Sequence, residues 1–214
     1  MICVSLAEPS FKKCLSALRG LPMAEIRMDI TPLAPPEIKN LFASPLPLVA
    51  TFRPGRHSER ARRAALSAAI AAGAAFVDIE ADAAPAYRRD LVRFAGKYNC
   101  RIILSLHSHG RPPSAERLSR IRDSFFRKGA DIVKLVYRAQ SAGDCVRILS
   151  LYDSPRKERI IALGTGPRGV VTRVAAPLLG APFTYAALRQ GRETAEGQPG
   201  WRTLKRILAL ISND

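Results

Sequence analysis

Gly129-Ala130-Asp131-Ile132-Val133-Lys134-Leu135-Val136 is an apolar run with one basic residue at its centre. Read as a β-strand, it puts Ile132, Lys134 and Val136 on one face and Val133 and Leu135 on the other. A strand apolar on both faces is covered on both faces, the usual condition of strands in parallel sheets. An ammonium carried into such a place must be paired, neutralised or used. A structural lysine bonded to a buried carboxylate, or one at the wet end of its strand, satisfies the pattern. So does a lysine whose burial favours the neutral amine, the form that attacks a ketone and makes a Schiff base.

Outward from this run, short β-branched segments alternate with stretches of helical character. The strand candidates are Ile2–Leu6, Glu25–Ile30, Leu46–Phe52, Phe76–Glu80, Arg101–His107, Asp131–Val136, Arg159–Leu163 and Phe183–Tyr185. Between them, Ser58–Ala72 is rich in alanine and arginine. In Ser114–Arg127, Leu118, Ile121, Phe125 and Phe126 recur at helical spacing behind a candidate N-cap, Ser114. Ser141–Tyr152 reads as a further helix. Trp201–Ile211 closes the chain with an apolar stripe of Leu204, Ile207, Leu208 and Ile211. The proline-rich Pro32–Pro36 reads as a loop leading into a helix. Strand–helix alternation favours a parallel sheet covered by helices. Eight such units in 214 residues predict a compact (β/α)8 TIM barrel, one domain spanning residues 1–214, rather than an open sheet.

Composition narrows the classes. The chain is 47% apolar and 24% charged, as in ordinary globular proteins. No apolar run reaches the ~18 residues of a membrane span. The start, Met1-Ile2-Cys3-Val4-Ser5-Leu6, lacks the basic and apolar regions of a signal peptide, so a cytoplasmic protein is expected. Cys3, Cys14, Cys100 and Cys145 are scattered without a C-x-x-C pair, which predicts reduced thiols and neither a zinc site nor a redox motif. Lysine and arginine exceed aspartate and glutamate by 34 − 18 = 16. That charge attracts polyanions and speeds encounters with anionic substrates. Nucleic-acid recognition needs the basic residues gathered on one surface. Here Arg60, Arg62, Arg63, Arg88, Arg89, Arg93, Arg117, Arg120 and Arg122 are spread over several helices, so no specific nucleic-acid partner is expected. Polyanion binding stands as an alternative function.

Charges fall on the strands in an ordered way. Glu25, Arg27 and Asp29 share a face opposite Ile26, Met28 and Ile30. Asp78 and Glu80 lie opposite Val77 and Ile79, and Ser105 and His107 lie opposite Leu104 and Leu106. In a barrel the apolar face meets the helices, so these polar faces should look inward. With Arg53 after the third strand and His107 ending the fifth, ionisable groups would converge at the strands' C-terminal ends, where barrel enzymes react. Asp78 and Glu80 also suit plain structural ion pairs. Gly164-Thr165-Gly166-Pro167-Arg168-Gly169 matches G-x-G-x-x-G, but it follows the seventh strand and has Arg189 where a ribose-binding acid belongs, against a dinucleotide fold. It suits an anion site, with Arg173 presenting a guanidinium fork to a carboxylate or phosphate. Gly197-Gln198-Pro199-Gly200 is a turn by composition.

The ordered set Glu25-Ile26-Arg27-x-Asp29, Thr51-Phe52-Arg53, Asp78-Ile79-Glu80, Ser105-Leu106-His107, Asp131-Ile132-Val133-Lys134, Thr172-Arg173 and Thr194-Ala195-Glu196-Gly197-Gln198 resembles type I 3-dehydroquinate dehydratase. The motifs come in the family's order over nearly the whole chain, and the order is more specific than any one of them. The resemblance implies a barrel that dehydrates 3-dehydroquinate to 3-dehydroshikimate in the shikimate pathway. It assigns the Schiff base to Lys134 and proton transfer to His107. It assigns the substrate's hydroxyls to Glu25, Arg27 and Arg53, its carboxylate to Arg173, and a closing loop to Thr194 and Gln198. It implies no metal and no cofactor, and a possible homodimer. Arg27, Arg53 and Arg173 would disfavour a further positive charge on the lysine.

Several positions depart from the family pattern. The first strand starts near Ile2, so the usual N-terminal hairpin is not expected. Ser108 replaces the aspartate that commonly follows the histidine. His57 occupies the register of a glutamate that orients it, with Glu59 a candidate substitute. Methionines common after the seventh strand are replaced around Leu163 and Thr165. His109 is a rival base, disfavoured by register. Another Schiff-base barrel, such as a class I aldolase acting on a phosphorylated sugar, would use the same lysine.

Overall fold

The computed structural model describes residues 1–212. The elements run β1 (Ile2–Leu6), α1 (Phe11–Ala17), β2 (Ala24–Arg27), α2 (Pro35–Phe42), β3 (Leu48–Thr51), α3 (Glu59–Ala71), β4 (Phe76–Glu80) and α4 (Pro85–Gly96). They continue with β5 (Arg101–Ser108), α5 (Ala115–Arg127), β6 (Ile132–Arg138), α6 (Ala142–Leu149), β7 (Ile160–Thr165), α7 (Val170–Leu178), β8 (Thr184–Ala187) and α8 (Trp201–Ser212). The eight strands form one sheet in the order β7-β6-β5-β4-β3-β2-β1-β8, the alternation of a (β/α)8 barrel.

Local chemistry sets the helix starts. The Ser58, Ser114 and Ser141 hydroxyls accept from the backbone N–H three residues on, capping α3, α5 and α6. Asp144 completes a capping box by accepting from the Ser141 N–H. Pro35 and Pro36 open α2, where a missing N–H costs no intrahelical bond.

Backbone contacts gather the chain into two compact units. Ser5–Leu104 is one. In it β2 and β3 pair in parallel from Ala24↔Leu48 to Arg27↔Thr51, and β3 and β4 from Val49↔Phe76 to Thr51↔Asp78. Ile26, Val49, Val77 and Ile79 are buried, as are Leu66, Ile70 and Leu91 on the helices. Met1–Val4 with Ser105–Asp214 is the other. There β6 and β7 run in parallel, with Lys134↔Ile161 and Val136↔Leu163 in register. All four cysteines are buried thiols.

Three details differ from the sequence reading. The second strand ends at Arg27, because the Arg27 carbonyl accepts from the Ile30 and Thr31 N–H groups and turns the chain. Asp29 therefore sits in a turn rather than on a strand face. In α8, which meets β8 and α7, Leu204 is sealed, Ile207 and Leu208 are half-buried and Ile211 is 52% exposed, so the cover over the apolar stripe falls off along the helix. Ser141–Tyr152 is a helix to Leu149 that tightens into a 3₁₀ turn over Ser150–Tyr152. Among the described residues no helix is long and apolar enough to cross a membrane.

Candidate active site

Lys134 lies in mid-β6 and is 4% exposed. Its neighbour in register on β7, Ile161, is apolar and buried. Its Nζ stands 3.9 Å from the centroid of the Tyr185 ring on β8. The contact holds the amine in one direction. β5 neighbours β6 in the sheet, and His107 stands at the exposed end of β5.

The loop after His107 is tied down. The Ser108 hydroxyl accepts from the Gly110 N–H at 3.1 Å, and the Gly110 carbonyl accepts from the Arg138 N–H at the end of β6, also at 3.1 Å. Arg111 donates to Asp144 from two nitrogens, at 3.1 and 3.2 Å. Asp144 has no exposed side-chain area and also binds Arg147. Burial alone would raise its pKa. The Arg111 hydrogen bond, the Gln140 N–H and Arg147 more than offset that and hold the carboxyl well below the usual range.

Arg173 on α7 is 2% exposed. Its Nη1 donates to the Tyr185 carbonyl at 3.4 Å, and its buried Nε has no partner. Burial pushes its pKa down to about 10. A guanidinium this poorly compensated attracts an anion.

The glycine loop has a packing duty of its own. A Cβ on Gly169 would stand 2.6 Å from the Gly164 carbonyl oxygen. The Thr172 hydroxyl accepts from the Gly164 N–H at 2.7 Å and donates to the Gly169 carbonyl at 2.6 Å. Two of the glycines thus serve a backbone-on-backbone contact between β7 and α7, and the anion-binding expectation rests on Arg173. The β8–α8 loop docks on the same turn. Gly197, at φ +81°, would place a Cβ 2.6 Å from the Gly166 carbonyl oxygen, and the Gly166 N–H donates to the Glu196 carbonyl at 3.3 Å. Within the loop, the Gln198 Oε1 accepts from the Thr194 N–H at 2.9 Å and from its hydroxyl at 3.1 Å.

In the Ser5–Leu104 unit, Glu25 is buried and accepts from the Thr51 hydroxyl at 2.9 Å and from the Ser5 hydroxyl. Arg27 forms a bidentate pair with Asp29 at 2.9 and 2.6 Å. Burial disfavours the Arg27 charge, but the Asp29 hydrogen bond and the nearby Glu25 raise its pKa above the ordinary value. Arg53 bonds Asp78 at 2.9 Å and Glu80 at 2.8 Å. Burial acts against its charge too, and Asp78, Glu80 and Glu25 overcome it, so the guanidinium is held firmly charged. Asp78 and Glu80 are thus ion-pair partners of an arginine. Glu59 lies on the exposed first turn of α3, paired with Arg63, and His57 sets its ring edge-on to Phe52.

The structure gathers Lys134, Arg173 and the Thr194–Gln198 pair with Tyr185 in one unit, and Glu25, Arg27 and Arg53 in the other. Ser5, Thr51, Arg62 and Tyr185 escaped the sequence reading. Ser5 carried a signal, as a lone polar residue in an apolar run. Tyr185 carried none, because a β6–β8 side-chain contact leaves no trace in local pattern.

Known proteins resemble this chain along its whole length. Residues 2–214 match the family model described as type I 3-dehydroquinase. A 3-dehydroquinate dehydratase of Desulfotalea psychrophila is 32% identical over 210 residues, covering 92% of each chain. One from Dehalococcoides mccartyi is 31% identical over 205 residues, covering 92% of this chain and 89% of that one. The type I 3-dehydroquinate dehydratase of Clostridium difficile, solved with covalently modified comenic acid, aligns with a TM-score of 0.86 over 99% of this chain and 92% of its own, at 22% identity, which speaks to the fold. With a family match that leaves out one residue, and relatives this similar over nine-tenths of their length, the chain belongs to the type I 3-dehydroquinases.

Proposed function

We propose that this protein is a cytoplasmic hydro-lyase that converts 3-dehydroquinate to 3-dehydroshikimate in the shikimate pathway, through a Schiff base on Lys134. The amine adds to the substrate ketone and water leaves, giving a protonated imine. The imine withdraws electrons, so the adjacent C–H becomes acidic. His107 takes that proton, and the electron pair moves to the imine nitrogen as an enamine. The enamine then expels the hydroxyl on the next carbon, which leaves as water with the proton His107 returns. Water hydrolyses the new imine, releasing product and free amine. A histidine suits both transfers because its ordinary pKa lies near neutrality. Arg173 binds the carboxylate, Glu25, Arg27 and Arg53 bind the hydroxyls, and the Thr194–Gln198 loop covers the ligand.

The observation that carries this reading is the amino group of Lys134, buried on a strand and 3.9 Å from the centroid of the Tyr185 ring, in a member of this family. Borohydride added with 3-dehydroquinate should leave a reduced adduct on Lys134, seen by peptide mass spectrometry, and abolish activity. Lys134→Ala should lower turnover by several orders of magnitude. His107→Ala should still trap the adduct but stall elimination. Product analysis separates dehydration from the carbon–carbon cleavage of an aldolase. Substantial turnover by Lys134→Ala would end the proposal.

A homodimer fits the family resemblance, and sedimentation tests it. Polyanion binding predicts steeply salt-dependent association with nucleic acid. We expect weak binding with a shallow salt slope.

A further inference from the structure

Arg62, on the first turns of α3, is a buried arginine that the dehydration chemistry leaves without a part. Its Nε donates to the Phe52 carbonyl at 3.1 Å, and its Nη2 donates to Glu80 Oε2 at 2.7 Å. Its guanidinium lies over the Tyr87 ring of α4, 5.2 Å from the centroid, and Arg63 stands 5.3 Å from the same ring. The second oxygen of Glu80 accepts from Arg53 at 2.8 Å.

Arg62 therefore bonds two groups next to Arg53, the carbonyl of the preceding residue and the carboxylate that Arg53 shares. β3 ends at Thr51, so the peptide that leads into Arg53 has left the sheet ladder. The hydrogen bond to the Phe52 carbonyl fixes that peptide. At the other end, Glu80 divides its oxygens between two arginines, while Asp78 takes the second arm of Arg53. The quartet Arg53, Arg62, Asp78 and Glu80 is formally neutral. Without Arg62 it carries a net negative charge. Both oxygens of Glu80 then become available to Arg53, and the guanidinium is drawn toward the carboxylates. Lysine cannot substitute, since one ammonium lacks the planar fork that serves a carbonyl and a carboxylate together.

We infer that Arg62 is a positioning residue for Arg53: it sets where that guanidinium meets the hydroxyl groups of the substrate, and it touches no substrate itself. This rests on the dehydratase reading and on the role given there to Arg53.

The test uses the full chain, steady-state kinetics with 3-dehydroquinate, and thermal melting. Arg62→Gln should raise KM about tenfold with kcat within about twofold, and borohydride should still trap Lys134 at saturating substrate. Arg62→Lys should recover melting temperature more than it recovers KM. In an Arg53→Gln background, adding Arg62→Gln should raise KM no further. A fall in melting temperature with KM unchanged, or the same rise of KM in both backgrounds, overturns the inference and leaves Arg62 a stabilising ion pair. If Arg62→Gln does not fold, Glu80→Gln addresses the contact from the other side, and unchanged KM in that variant overturns the inference equally. A wild-type protein without dehydratase turnover refutes the functional reading instead, and the inference with it.

Discussion

Arg173 shows how a single residue can lower stability in exchange for binding. The residue is 2% exposed, its guanidinium reaches one carbonyl, and its buried Nε has no partner. Removing such a charge should stabilise the fold, because an incompletely compensated buried ion costs several kcal/mol. Arg173→Met should therefore raise the melting temperature, by about 2–4 °C for each kcal/mol recovered in a chain of this size. The same variant should weaken substrate binding by roughly 100-fold, the scale of one lost charge-assisted contact. Calorimetry and KM together check it, and a destabilised Arg173→Met would mean that the guanidinium serves the fold. Lys134 was legible in sequence, since a cation in an apolar run is conspicuous, and Arg173 was picked out by the glycine loop before it and by the family motif. The environment of each was not. Tyr185 provides the ring beneath Lys134 and the carbonyl for Arg173, and nothing in Phe183-Thr184-Tyr185 announces either duty.

At the scale of elements, turns do most of the positioning. Gly164 and Gly169 bring β7 and α7 to backbone contact, and Gly197 sets the β8–α8 loop against Gly166. A methyl at Gly169 would strike backbone, so Gly169→Ala should cost roughly 1–3 kcal/mol, the cost of overpacking, read as a lower urea midpoint. Gly197→Ala meets both a left-handed φ and the Gly166 carbonyl, yet lies on a loop. It should raise KM several-fold while changing the urea midpoint little. Sequence reading recovered this glycine motif but not its packing duty, because the spacing is blind to backbone-on-backbone contact. Strand ends were likewise less legible than strand centres. β2 ends at Arg27 because a turn captures the Arg27 carbonyl, a bond that the apolar alternation of Ile26, Met28 and Ile30 does not encode.

Across the molecule, Asp29, Asp123 and Asp144 have pKa values below the ordinary range. For Asp29 and Asp144 burial works the other way, and arginine hydrogen bonds overcome it; for Asp123 the Arg122 hydrogen bond leads. A depressed folded-state pKa means that the unfolded chain binds protons first. The stabilisation is complete above the ordinary carboxylate value of ~4 and is lost as pH falls through the folded values. Urea midpoints should hold between pH 7 and 5 and decline below about pH 4. Asp144→Asn should start lower and decline less steeply, as circular dichroism would report. The eightfold alternation made the architecture readable from the sequence, since each unit repeats one pattern. That Asp78 and Glu80 suit ion pairs was legible too, but their partner was not, because Arg53 meets them across 25 and 27 residues.

The four sealed thiols turn the protein into its own unfolding reporter. Cys3, Cys14, Cys100 and Cys145 each show at most 5% of their surface, and burial, aided by Glu8, pushes the Cys14 thiol up to about 12. A maleimide dye at neutral pH should leave the native enzyme dark and light up molecules that have opened. Labelling rates measured across denaturant would then separate local breathing near each sulfur from global opening, with no engineered probe.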